Sequence, residues 1–150
     1  MRPIYVREFM DHIVFVSRVR RELDRLLAGD RTMIVRGSLG KRMPYGRVSP
    51  GDTLFFAAGS SRITVRAIAA VQNVLDTPRL AGAEASRLLE QHGAGLQLSD
   101  AEADRWSRQK YLTLIEIADL SPVVPFSIAA RGSGEADDWL AVDDIDEVIE

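Results

Sequence analysis

The sequence predicts an α+β fold in which a small mixed sheet curls around one core with helices packed beside it. Three observations lead there. Short apolar runs rich in β-branched and aromatic residues recur along the chain. Helix-periodic segments fall before the second of these runs and before the last long one. One long run breaks its alternation once, as a bulge in a curved strand does. The 150 residues are 46% hydrophobic and 27% charged, the composition of a folded globular chain. With no repeat and no low-complexity linker, a single domain over 1–150 is expected, its core at about 12–128.

Taken in order, HIVFV (His12 to Val16) is a compact strand. Ser17 then offers an N-cap to a helix with Val19, Leu23, Leu26 and Leu27 on one face, and Gly29 stops it. Thr32 to Arg36 is β-branched and extended, and TLFFAA (Thr53 to Ala58) follows the Pro50-Gly51-Asp52 turn. A hairpin into Arg62 to Val74 comes next, where Ile63, Val65, Ala67, Ile68 and Val71 carry the broken alternation. Ala83 to His92 is helical by periodicity, and Ser99-Asp100-Ala101-Glu102 is a capping box opening a helix through Trp106. YLTLIEIA (Tyr111 to Ala118) is the last clear strand, with Leu112, Leu114, Ile115 and Ile117 near the core. Residues 135–150 hold eight acidic residues and no basic one. Their Trp139, Leu140, Val142, Ile145, Val148 and Ile149 fit either an edge strand or short helix, or a solvated acidic tail.

Charge is distributed unevenly. Residues 1–66 carry 13 Lys+Arg against 6 Asp+Glu, and residues 67–150 carry 6 against 16. The densest cationic stretch is TMIVRGSLGKRMPYGRVSPGD (Thr32 to Asp52), in which Arg36, Lys41, Arg42, Tyr45 and Arg47 are interleaved with Gly37, Gly40 and Gly46. No acid falls between Arg36 and Arg47. Such a loop lets backbone and cations approach an anion closely, which is the electrostatic footprint of phosphate binding. Tyr45 is placed either to stack on a base or to cover the mouth of the sheet. Arg36 is read as a ligand contact at a strand end, the other reading being a pair with a carboxylate such as Glu116. Trp106 is read as core.

Other chemistries are excluded on composition. Without cysteine there is neither disulfide nor thiolate chemistry. His12 and His92 stand far apart with no ligand-spaced neighbour, so no metal and no cofactor is expected. No apolar run approaches the roughly eighteen residues of a membrane span. MRPIYVREFM lacks a secretory h-region, which makes a cytoplasmic location the expectation. There is no Walker loop, G-x-S-x-G elbow or H-E-x-x-H.

The segment Gly29-Asp30-Arg31-Thr32-Met33-Ile34-Val35-Arg36 resembles the G-x-K-T-x-x-x-R signature of ASCH domains. Arg47-Val48-Ser49-Pro50-Gly51-Asp52 is similar to the basic-V-x-x-G-D step that follows it. The order of elements over about 12–128 agrees as well. The resemblance implies a PUA-like β-barrel with two to three helices flanking a cleft, where the wider superfamily holds RNA or modified nucleobases. An enzymatic branch of the family hydrolyses an acylated cytidine with the signature's Lys, a second Thr and a Glu. Here the Lys falls on Arg31 and the second Thr on Ile34. Arginine does not deprotonate and isoleucine has no hydroxyl, so that activity is not carried over.

Two functions follow as expectations. The first is an RNA- or modified-nucleoside-binding protein, with RNA or a nucleoside or nucleotide as partner. Arg31, Thr32, Arg36, Lys41, Arg42, Tyr45 and Arg47 would form the binding set. The second is a metal-independent ribonuclease or nucleoside hydrolase in the same cleft, with Lys41 and Tyr45 moving protons. A protein-interaction role for the acidic segment rests on composition alone.

Overall fold

The computed structural model describes residues 9–17, 21–59, 62–129 and 139–150. Six strands appear, β1 (Asp11–Phe15), β2 (Met33–Ser38), β3 (Thr53–Ala58), β4 (Ile63–Asp76), β5 (Tyr111–Ile128) and β6 (Trp139–Val142). Four helices accompany them, α1 (Glu22–Leu27), α2 (Glu84–Gln91), α3 (Gly93–Leu96) and α4 (Asp100–Ser107). The sheet order is β2-β5-β4-β3-β1-β6. Only β1 and β3 run parallel, so the sheet is mixed as expected. Among the described residues the sheet curls into a half-barrel and the two edge strands, β2 and β6, do not pair with each other.

Curvature comes from β4 and β5, which pair along most of their length with three register shifts. The bulge predicted in β4 falls at Arg66, where the partners step from Phe56↔Ala67 to Ala57↔Val65. One extra residue exchanges the faces of a strand. Ile63 and Val65 therefore pack with Ile13, Phe15 and Phe55 on the outer face, while Ala67, Ala69 and Val71 turn inward to Val14, Leu54, Phe56 and Ile115. A third cluster, under α2 to α4, holds Val35, Leu89, Leu96, Leu112, Leu114 and Trp106, the last in the core as expected.

One local expectation needs correction. Ser17 is not the N-cap of α1: the helix starts at Glu22, after Arg21 in a left-handed conformation, and the Ser17 carbonyl accepts from the Glu22 N–H. The positions 18–20 between them, including Val19, lie outside the described residues. Of the two readings of the acidic segment, the edge strand with a short helical turn is the one that forms over 139–150. β6 adds antiparallel to β1, Trp139 is buried, and the Ile145 N–H donates to Asp11 Oδ2 at 2.8 Å. Residues 135–138 are outside the described set. Four helices form where two or three were expected, α3 being a single extra turn.

A buried hydrogen-bond chain ties this C-terminal strand to the Gly51-Asp52 turn. Trp139 Nε1 donates to His12 Nδ1 at 2.9 Å, and His12 Nε2 lies 2.8 Å from Asp52 Oδ2. An indole only donates, so His12 Nδ1 accepts and Nε2 carries the hydrogen given to Asp52. Asp52 also accepts from the N–H groups of Met10 and Ser49. Replacing Trp139 by Phe keeps most of the packing but leaves the buried His12 Nδ1 without its donor. The expected loss is about 1–3 kcal/mol of stability, read from urea denaturation curves.

Candidate functional site

The cationic loop runs from the end of β2 to the Asp52 turn and is held by acceptors at the end of β4. Tyr45 donates its hydroxyl to the Thr77 carbonyl, and the Gly46 N–H donates to Asp76 Oδ1 at 3.1 Å. Asp76 in turn accepts from Thr113 Oγ1 at 2.8 Å. Gly46 has φ +70°, a conformation that glycine adopts without strain. At the apex Ser38 Oγ donates to the Gly40 carbonyl, and the Arg42 N–H turns back to the same carbonyl. The loop is thus pinned before any ligand arrives.

Beside it lies a cleft of about 610 Å³. One wall is Gly37, Ser38, Leu39 and Gly40 with Arg42 and Met43; a second is Arg105, Trp106 and Gln109 of α4 and the turn after it; Trp139 of β6 supplies the third. Both edge strands therefore border it, and the cleft occupies the open seam of the half-barrel. The Arg105 guanidinium lies 4.6 Å from the Trp106 ring centroid, a cation held over an aromatic face.

The seven expected binding residues separate into three groups. Arg42 alone lines the cleft. Lys41 sits outside it with its ammonium 5.9 Å from the Tyr45 ring and 5.7 Å from the Tyr111 ring, these two rings meeting edge-on at 5.4 Å. Arg47 is exposed beyond them, and Thr32 is exposed at the foot of β2. Arg31 and Arg36 are a correction: both are 4% exposed and bound to carboxylates rather than presented to a ligand. Arg36 Nη1 and Nη2 each lie 2.9 Å from an oxygen of Glu22, and Nη2 also reaches the Phe15 carbonyl at 3.1 Å. Its partner is thus Glu22 of α1, not Glu116. Arg31 Nη1 and Nη2 meet Glu102 at 3.0 and 2.6 Å.

Glu102 is the same residue that closes the capping box with Ser99. Burial alone would raise its carboxyl, but the Arg31 hydrogen bonds and charge, with the Ser99 backbone and hydroxyl, outweigh that and hold it below the usual carboxylate range.

Sequence spacing did not single out Gln109 or Trp139 as cleft residues, and it left Arg105 unplaced. Trp139 lies 87 positions beyond Asp52, where the loop ends. Of the other side chains that spacing left unplaced, Arg66 borders a separate depression beside α1, and Ser127 sits opposite Thr64 in the β4–β5 pairing, away from the loop. Among the described residues, no group of three His, Asp or Glu side chains could hold a metal ion, and no helix is long and apolar enough to cross a membrane.

Both buried ion pairs bear on stability. Glu22→Ala leaves the Arg36 guanidinium buried without its carboxylate and is expected to cost about 3–5 kcal/mol, whereas the double replacement Glu22→Leu with Arg36→Met costs much less. Urea titration of both variants checks this. For Glu102, a folded-state value held below the unfolded one of roughly 4.3 means that its stabilisation is full above that pH and is lost as pH falls through the folded-state value. The stability gap between the parent and Glu102→Gln is therefore expected to be widest near neutrality and to close in acid, measured by urea unfolding across that range.

No protein-family model matches the chain, and no curated protein matches it. Solved structures do. A serine-to-alanine variant of an ASCH protein from Zymomonas mobilis superposes with a TM-score of 0.59 at 13% identity, covering 80% of this chain and 75% of that one. The unsubstituted ASCH structure from the same organism gives 0.56 at 12% identity, covering 77% and 71%, and its tyrosine-to-phenylalanine variant gives 0.56 at 12%, covering 77% and 73%. At such identity the likeness establishes architecture: this chain has the fold of the ASCH-domain structures, a curled mixed half-barrel flanked by helices.

Proposed function

We propose that this protein binds single-stranded RNA or a modified nucleoside or nucleotide in the seam cleft. The observation that carries the reading is one cleft of ligand size that combines glycine backbone, two arginines and two tryptophans. Arg42 and Arg105 suit phosphate, and Met43 with the small exposed parts of the two indoles gives the cleft an apolar lining that suits a base. The pinned loop supports the same reading, because a preorganised site spends little of its interaction energy on ordering itself. Lys41 and Arg47 stand farther out along the same loop, where a longer strand would meet them.

The hydrolytic alternative has less support. The Tyr45 hydroxyl is donated to the Thr77 carbonyl, and neither Tyr45 nor Lys41 borders the cleft. Proton transfer by that pair would require the loop to leave its moorings.

Binding of a labelled single-stranded oligoribonucleotide over a salt series, in chelator, tests the proposal. Affinity should fall with salt at about −0.7 per phosphate contacted, with the RNA recovered intact on a denaturing gel. Arg42→Glu with Arg105→Glu should weaken binding by about tenfold or more and flatten that slope. Unchanged affinity in the double variant would remove the cleft from the reading, and shortened RNA would restore the hydrolytic one.

A further inference from the structure

We infer that the peptide edge of Gly37, assisted by the Gln109 carboxamide, reads the hydrogen-bonding edge of a nucleobase held in the cleft. This rests on the binding reading above and adds what part of the ligand is recognised.

Strand register decides which backbone groups of β2 face outward. β2 pairs antiparallel with β5, Met33 opposite Glu116 through Ser38 opposite Tyr111. The Ile117 N–H donates to the Thr32 carbonyl at 3.0 Å, which fixes the phase of the ladder. In antiparallel pairing, residues alternate between pointing their backbone groups at the partner strand and away from it. Ile34 and Arg36 thus face β5, while Met33, Val35 and Gly37 turn their N–H and C=O toward the open edge. Leu112 gives an independent check: opposite Gly37, it exchanges hydrogen bonds with Thr77 on its other side, its N–H going to Thr77 Oγ1 and its carbonyl accepting from the Thr77 N–H.

Of the three residues facing outward, Val35 has its carbonyl taken and Met33 does not line the cleft. The Val35 carbonyl accepts from Arg36 Nη1 at 2.9 Å. Met33 lies under α3, where a Cβ on Gly95 would sit 2.8 Å from the Met33 sulfur. Gly37 is the one that borders the cleft. It also has no side chain to shield its peptide, and a Cβ there would meet Leu112 Cδ2 at 2.6 Å and Gln109 Cγ at 3.0 Å.

One unshielded residue is too short an edge for an added peptide strand, which needs several consecutive alternate residues. It is the right size for a base. A peptide N–H beside its own C=O matches the adjacent donor and acceptor of a nucleobase's Watson–Crick edge. Gln109, whose Cγ a Cβ on Gly37 would meet, carries a second donor–acceptor pair; one amide hydrogen goes to the Arg105 carbonyl at 3.4 Å, which leaves the other and the carboxamide oxygen to a ligand. Arg42 and Arg105 line the same cleft and suit the phosphate, so one nucleotide can be held at both of its ends.

The test uses the whole chain with amide resonances assigned. It is titrated separately with UMP, AMP, N3-methyl-UMP and ribose 5-phosphate. The expected result is a downfield shift of the Gly37 amide with UMP and AMP and no such shift with ribose 5-phosphate or N3-methyl-UMP, although both still perturb Arg42. Gln109→Leu should weaken UMP by about fivefold or more and leave ribose 5-phosphate unchanged. A Gly37 amide that stays still while Arg42 responds to every probe would overturn base reading and leave a phosphate site. Silence of the whole cleft toward all four probes would overturn both this inference and the binding reading. A Gly37 response shared by ribose 5-phosphate would show a backbone contact to the sugar-phosphate and would also overturn it.

Discussion

The half-barrel depends on one guanidinium. With β2 and β6 unpaired to each other, the curled sheet has a gap that strand hydrogen bonds do not close. Arg36 spans it, leaving β2 to bind the Phe15 carbonyl at the end of β1 and both oxygens of Glu22 at the start of α1. The same side chain bonds the Val35 carbonyl, satisfying part of the exposed strand edge. A buried ion pair is a poor source of net stability, because desolvation of both charges offsets most of their attraction. What it supplies is geometry: two planar, bidentate groups fix where α1 sits over the inner core, with Leu26 sealed beneath it.

That commitment has an electrostatic consequence. The basic half of the chain looks like one large cationic face in sequence, but two of its arginines are neutralised inside, Arg31 by Glu102 and Arg36 by Glu22. Of the cations in the basic half, fewer therefore line the cleft than the composition suggests: Arg42 does, with Lys41 and Arg47 farther out. Under the binding reading proposed above, a localised set of cations fits a short segment or a single nucleotide better than a long nucleic-acid track.

What the sequence revealed followed from locality. The Ser99–Glu102 capping box spans one helical turn, and the broken alternation of β4 is a pattern within a single strand, so both were legible in the chain itself. The chain order of strands and helices was legible too, because the Gly29-to-Asp52 motifs resemble those of a known family. The partner of Arg36 was not: Glu22 lies 14 positions earlier on a helix, and only the fold brings them together. Parity did offer a clue. Arg31 and Arg36 are five apart across an extended segment, so they project to opposite faces and could not both line one cleft. A cluster of cations in sequence was read as a cluster in space, and the strand's alternation dispersed it. The start of α1 was missed for a related reason: a good capping residue, Ser17, was present, but the chain first turns through Arg21 at φ +54° and the helix begins later.

Trp139 shows how the two ends of the chain make one site. Its ring forms a wall of the cleft, while its N–H is held by His12, whose other nitrogen is held by Asp52 in the turn that ends the cationic loop. All three groups are buried, so the wall cannot rotate away without leaving a polar atom unpaired in the core. The loop on the opposite side is pinned through Tyr45 and Gly46. Neither wall is free to close over a ligand as a lid does, and shape selectivity must come from the cleft as it stands. In the reading proposed above, discrimination among bound groups falls to the Gly37 peptide and the Gln109 amide that border the cleft, and to the two arginines that line it.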